Sequence, residues 1–353
     1  MRRRSSTVRH IFGWIAGVTA VTVLLALTIV FLFFTPQHQP SPVPEHVSPT
    51  TSPANSDNEH SMLTELFNYL RPEKDFQKYF NFTAPHCSWE GITCNETTGR
   101  VIAINLGSFS LIAPESPSFP DSLGNFTDLK VLDLSNNMLF GAFPEPIVRL
   151  KNLVSLKLQH NKLTGFIPDL HNLSKLQILW LFANQFQGPL DMLMQLPALE
   201  SLILQQNLLS LELPQNISKS LLQLDVMGCD LHGTIPESWA SSSLTSIDLS
   251  LNKLNGSVPC FGPDLISLVA RYNQLDGQFC GQSLRSIQEL DISSNKLTGT
   301  FDLPGVNVTN MTLVIQINRF TSFTPSSRDL TLAPALCSAS FCTFEMSNSN
   351  LEC

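Results

Sequence analysis

The groups able to do chemistry are few and widely spaced. Eight cysteines are an even number, which permits disulfides without fixing them. Cys87 and Cys94 enclose Ser-Trp-Glu-Gly-Ile-Thr, so the pair is either a short bridged loop or two unrelated thiols. The histidines are scattered and read as surface or packing residues. The sequence holds no Walker loop, no G-x-S-x-G elbow, no H-E-x-x-H and no C-x-x-C. Those spacings are the ones that bring a phosphate cradle, a nucleophile or a metal pair together. No catalytic residue, metal or cofactor is expected, and the chain reads as a non-enzyme.

The positioning elements begin with the first 60 residues. Ile11 to Phe34 is a run of 24 residues without a charge. At 1.5 Å per residue a helix of that length covers about 36 Å, enough for a hydrocarbon core of about 30 Å. Arg2, Arg3, Arg4 and Arg9 precede it, and the next basic residue is Arg71. The positive-inside bias puts residues 1–10 in the cytoplasm and everything after residue 34 outside or in a lumen. A single-pass signal anchor at 11–34 is expected, attaching the chain to a membrane, most simply at the cell surface. Residues 35–60 are rich in Pro, Ser and Thr and read as a solvated stalk. The net charge of −8, with only 14% charged residues, leaves no basic surface for a phosphate backbone, and no nucleic-acid partner is expected.

From residue 61 the pattern becomes that of a packed protein. Leu63, Leu66, Phe67 and Leu70 share one helical face and open a cap over 61–100. From Val101 one motif dominates: L-x-x-L-x-L-x-x-N-x-L-x-G-x-hydrophobic-Pro. Its clearest copy holds Leu153, Leu156, Leu158, Asn161, Leu163, Gly165, Ile167 and Pro168. Ten such units fill 101–323 at about 23 residues each, the period of a solenoid. The x-L-x-L-x core is a short strand with alternate side chains inward. The Asn can satisfy backbone groups at the bend after it. No unit buries its apolar face alone; stacking does that. Residues 324–353, with Cys337, Cys342 and Cys353, depart from the motif and read as a C-terminal cap whose pairing stays open.

Cys87-x-Trp89-x-Gly91-x-x-Cys94, followed by repeats ending Leu-x-Gly-x-Ile-Pro, resembles the plant-type extracellular leucine-rich repeat family of receptor-like proteins and receptor kinase ectodomains. Leucine-rich surface antigens of kinetoplastids are similar. The resemblance covers about residues 60–323. It implies an α/β solenoid, a horseshoe with a parallel concave β-sheet and a helical N-terminal cap, here preceded by one transmembrane helix. It implies a Cys87–Cys94 bridge closing the cap, with Trp89 packed beneath Ile102 or Ile104. It also makes the recurring Asp133, Asp225, Asp248 and Asp291 repeat wording rather than metal ligands. The anchor departs from the family's arrangement, in which the span follows the repeats.

Sequons stand at Asn81, Asn95, Asn125, Asn172, Asn216, Asn255, Asn307 and Asn310. Asn125, Asn172, Asn216 and Asn255 are expected on the return segments, so glycans there leave the concave sheet bare. Cys260 and Cys280 occupy nearly equivalent places in adjacent units, which fits a bridge between coils. Cys229 stands where other units have Asn and reads as a buried, unpaired thiol.

The implied function is recognition of a protein, peptide or glycan on the concave face; the alternative is a glycosylated surface coat without a specific ligand. Most outward positions of the strands are Ser, Gln, Asp, Lys or Thr. One run is apolar: Ile178, Trp180 and Phe182, with Ile203 beside Trp180 and with His160 and Gln205 flanking Phe182. Contiguous apolar positions of this kind mark interaction sites, and these six residues are the candidate site. A smaller candidate holds Leu251, Val269, Arg271 and Tyr272.

Overall fold

The computed structural model describes residues 56–72, 82–113, 119–306 and 311–324. Every described residue belongs to one unit, Ser52–Cys353. The anchor at 11–34, residues 1–10, the sequons at Asn81, Asn307 and Asn310, and Cys337, Cys342 and Cys353 lie outside the described residues. Among the described residues no helix is long and apolar enough to cross a membrane.

Each repeat contributes one short strand to an eleven-stranded sheet. Its first strand, Ile92–Cys94, runs antiparallel to Val101–Asn105. The others, through Thr312–Val314, run parallel. Inward Leu residues from every coil form one core; Leu153, Leu156, Leu158 and Leu163 are all fully buried. Burial of such a side chain contributes about 1.5–3 kcal/mol, and every coil supplies several. In the last described coil Leu313, Ile315 and Phe320 are only half-buried.

The return segments differ from the expected α/β pattern. They hold 3-10 turns at Asp121–Asn125, Glu145–Arg149 and Glu237–Ser241, and one α-turn at Asp191–Met194. Two further three-stranded parallel sheets lie along them. The fold is therefore a β-solenoid. Pro120, Pro144 and Pro236 open the 3-10 turns, and five residues do not make a stable α-helix.

The Asn of the motif does what its chemistry suggests. Asn161 Oδ1 accepts from the Leu139 N–H at 3.0 Å, and its Nδ2 donates to Leu134 and Leu158 carbonyls at 3.0 Å each. Asn137, Asn184, Asn252, Asn273 and Asn295 repeat the pattern. The residue before this Asn takes a left-handed φ in coil after coil, including His160 at 54°, Leu251 at 55° and Ile317 at 57°. The bend that turns the chain off the sheet imposes this conformation even on a β-branched residue, against its intrinsic preference.

The N-terminal helix spans Ser56–Tyr69, so it starts inside the stretch expected to be stalk. Glu59 explains why. Its carboxylate is almost fully buried and accepts from Arg100 Nε at 2.7 Å and from the Val101 N–H at 2.8 Å. That contact ties the helix to the first repeat strand. Trp89 is buried in the same core as Ile104; its ring also meets those of His60, Phe67 and Phe82, and its Nε1 donates to the Ala84 carbonyl. Sulfurs of Cys87 and Cys94 are joined, with Cα atoms 5.6 Å apart. Cys260 and Cys280 are also joined, across 5.1 Å. Gly91 has φ of 79° and its carbonyl accepts from the Asn105 N–H at 2.7 Å. A Cβ there would collide with the Asn105 carbonyl, which is why the motif requires Gly at this place.

Candidate ligand-binding face

The outward positions of the long sheet are set by strand register. Lys157 pairs with Trp180, Trp180 with Ile203, Ile203 with Asp225, and Asp225 with Asp248. These five side chains form one line across five strands, because positions paired in a parallel sheet point to the same face.

The six predicted site residues fall in this region but are less exposed than the spacing suggests. Ile178, Trp180, Phe182 and Gln205 are half-buried, and His160 is exposed. Ile203 is only 8% exposed, which removes it as a free apolar contact; Trp180 and Asp225 flank it on either side. The indole is held in place: Nε1 donates to Ser201 Oγ at 3.0 Å, which donates to Gln223 Oε1 at 2.9 Å. Lys157 Nζ stands 4.5 Å from the centre of the Trp180 ring, a cation–π contact. His160 meets Phe182 edge-on at 4.9 Å between centroids. Gln159, beside them, is 7% exposed, and its Oε1 has no partner among the described residues.

Lys157 and Gln159 are neighbours that the column reading missed, and Asp225 and Asp248 are ones it set aside as repeat wording. Their signal was present, since they occupy the same two outward positions of the motif as Trp180 and Phe182. Burial and mutual repulsion push the Asp225 carboxyl well above the usual carboxylate range, and burial raises Asp248. Burial also pushes the Cys229 thiol up to about 12, so this buried free cysteine stays protonated and inert. In the smaller candidate Leu251 and Tyr272 are exposed, Val269 is buried, and Arg271 Nη1 is 3.9 Å from Asp291 Oδ2.

His86 lies close to both sulfurs of Cys87 and Cys94, but the disulfide uses those sulfurs and leaves no thiolate to ligate a metal. Asn125, Asn172, Asn216 and Asn255 are exposed. Asn255 lies on its return segment as expected, within the strand Lys253–Gly256 of a smaller sheet. Asn95 is half-buried, and its Oδ1 accepts from the Thr97 N–H and hydroxyl and the Thr98 N–H. None of these five lies on the long sheet.

Residues 127–186 match the leucine rich repeat family. The chain is 38% identical over 112 residues to phytosulfokine receptor 1 of Arabidopsis thaliana, covering 31% of this chain and 11% of that protein. It is 34% identical over 229 residues to receptor-like protein 18 of the same plant, covering 63% of this chain and 28% of that one. These are leucine-rich repeats, similar to those of plant receptor-like proteins. The chain spans from about a tenth to under a third of the length of such curated relatives. Among solved structures, the leucine-rich repeat array is similar to a plant ice-binding protein, with a TM-score of 0.68 and 26% identity, covering 76% of this chain and 89% of that one. It is also similar to the Arabidopsis receptor kinase HAESA in complex with the peptide hormone IDA and the co-receptor SERK1. That TM-score is 0.60 at 26% identity, covering 75% of this chain and 50% of the other.

Proposed function

We propose that the chain is a non-catalytic, membrane-tethered recognition protein that binds a peptide or protein segment on the exposed face of its long sheet, outside the cell. The observation that carries this reading is Trp180 with Phe182. The two rings occupy successive outward positions of one repeat, and Trp180 is fixed by a hydrogen bond to Ser201 and by Lys157 above its ring. Trp is enriched among residues that dominate binding energy, and a pre-positioned ring loses little entropy on binding. The peptide-hormone complex of HAESA supports a peptide as ligand. Exposed sequons away from the sheet support a glycosylated exterior, and the uncharged 11–34 run supports tethering there. Half-buried Leu313 and Ile315 support residues 324–353 as the cover of the last coil.

The test is a random peptide library panned on the full chain, with a Trp180→Ser, Phe182→Ser chain for comparison. Selected peptides should bind the double variant about 30-fold more weakly, the equivalent of about 2 kcal/mol. The urea midpoint should change little, because the inward Leu179 and Leu181 remain. Equal binding to both chains would overturn the site; loss of the fold would overturn the assignment of these positions to the outer face.

A further inference from the structure

The joint between the N-terminal helix and the first coil holds a buried titratable group. His86 opens the 3-10 turn His86–Ser88 and is 5% exposed. Its Nε2 is buried and has no hydrogen-bond partner among the described residues. The bridge from Cys87, the next residue, to Cys94 ties this turn to the first strand of the long sheet. The element facing it is the helix Ser56–Tyr69. His60 of that helix stands 5.9 Å from His86 and 5.0 Å from Trp89 between ring centroids.

Glu59 and His60, both on the helix, are the charged or titratable groups that act on His86; the first favours a cation there and the second opposes it. Both oxygens of the buried Glu59 are already engaged, by Arg100 Nε and by the Val101 N–H. Asp128 is 3.9 Å from the same Arg100 Nε. The two sulfurs beside His86 form a disulfide and do not titrate. A proton on His86 therefore adds a buried cation beside a carboxylate that Arg100 already neutralises, which is costly. Burial accordingly holds His86 below the ordinary His range. Helix release opens the ring to water and returns it toward the ordinary value of about 6.5. The released state then binds more protons, so docking is favoured above about pH 6.5 and weakens as pH falls below it.

We propose that His86 makes the helix Ser56–Tyr69 an acid-sensitive latch, held over the first coil at neutral pH and opening more often as pH falls through the His range, while the repeats stay folded. The opening is local because the helix packs Leu63, Leu66 and Phe67 on one end of the core, whereas an inner coil is held by neighbours on both sides. An opening that takes up one proton grows up to tenfold per pH unit. The latch is independent of what the long sheet binds.

The test is amide exchange of the full chain in detergent, read as protection factors at about pH 7.5 and about pH 5.5, on either side of the ordinary His value. Amides of Ser56–Tyr69 should lose about tenfold in protection between the two, and those of the strands Ser155–Lys157 and Ile178–Trp180 should lose none. His86→Gln, neutral throughout, should keep the protection of the helix and remove its pH dependence. If that variant releases the helix at every pH, the His86 ring signals of the unmodified chain decide: titration below the ordinary His range, in step with the helix, supports the latch, and titration at or above that range overturns it. Loss that persists in a docked His86→Gln chain, or that begins only in the carboxylate range near about 4, assigns the acid response to Glu59 and overturns the proposal. Equal loss in helix and repeats is global unfolding and overturns it as well.

Discussion

Cys229 is the natural break in the asparagine ladder, and a reciprocal swap measures what the ladder contributes. In neighbouring coils the Asn Oδ1 accepts a buried N–H of the preceding coil, as Asn207 does from Phe186 at 2.9 Å and Asn252 from Leu231 at 2.9 Å. At the corresponding place the Cys229 thiol donates to the Leu204 carbonyl at 3.2 Å and offers the Leu209 N–H no carboxamide oxygen. Cys229→Asn supplies that acceptor and replaces a weak S–H donor by an amide. A hydrogen bond contributes about 0.5–1.5 kcal/mol net, and an unsatisfied buried group costs about 1–3 kcal/mol. The two extra heavy atoms offset part of the gain, because overpacking costs about 1–3 kcal/mol. The expected gain is about 1–2 kcal/mol. The reverse change, Asn137→Cys, removes the acceptor of the Leu111 N–H and the donor to Leu106 and Leu134 carbonyls; it should cost about 2–4 kcal/mol by the same values. Urea titration reports the sum, and amide exchange at Leu209 and Leu111 reports where the change acts. Faster exchange at Leu209 in Cys229→Asn, or an unchanged midpoint in Asn137→Cys, would refute the assignment of stability to the ladder.

Two further outcomes follow from the same geometry. Gly91→Ala should destabilise the first coil strongly, because it meets both a positive φ and the Asn105 carbonyl; exchange protection of Asn105 and its neighbours would fall, and an unchanged pattern would contradict the close approach. The folded chain holds a proton at Asp225 more tightly than an exposed carboxyl would, so the raised group costs stability as pH rises above the ordinary Asp range of about 4. Asp225→Asn should therefore stabilise the fold at pH 7 and lose that advantage as pH falls through the ordinary range. A stability difference that does not vary with pH would show that the carboxyl is not perturbed.

The solenoid was legible because its cause is local and repeated. A Leu at every second strand position and an Asn at every bend can satisfy burial and backbone hydrogen bonding in only a few ways, and ten copies average out any single exception. Phe109 and Cys229 stand in Asn places without disturbing the reading. The paired cysteines were legible in the same sense, since Cys87 and Cys94 flank one short loop while Cys260 and Cys280 occupy matching places in adjacent coils. The helix start was not legible. Ser56 to His60 looks like stalk by composition, and what makes it helix is a buried contact from Glu59 to Arg100 and Val101, some forty residues away.

The candidate site divides along the same boundary. Which positions face outward follows from period-two alternation in the sequence, and this placed Ile178, Trp180 and Phe182. How exposed they are does not, because the cover over one strand comes from its neighbours. Ile203 is buried between Trp180 and Asp225 although its position points outward. The aromatic neighbours of Trp89 were also decided in three dimensions: its ring meets His60, Phe67 and Phe82 of the cap. Sequence by itself determined the repeat, its core and its outward columns, because each depends on residues within one coil. Only the tertiary structure decided that Asp133, Lys157, Trp180, Ile203, Asp225 and Asp248 stand side by side in one line across the sheet. Those residues are about a repeat apart in the chain and become neighbours only when parallel strands stack in register.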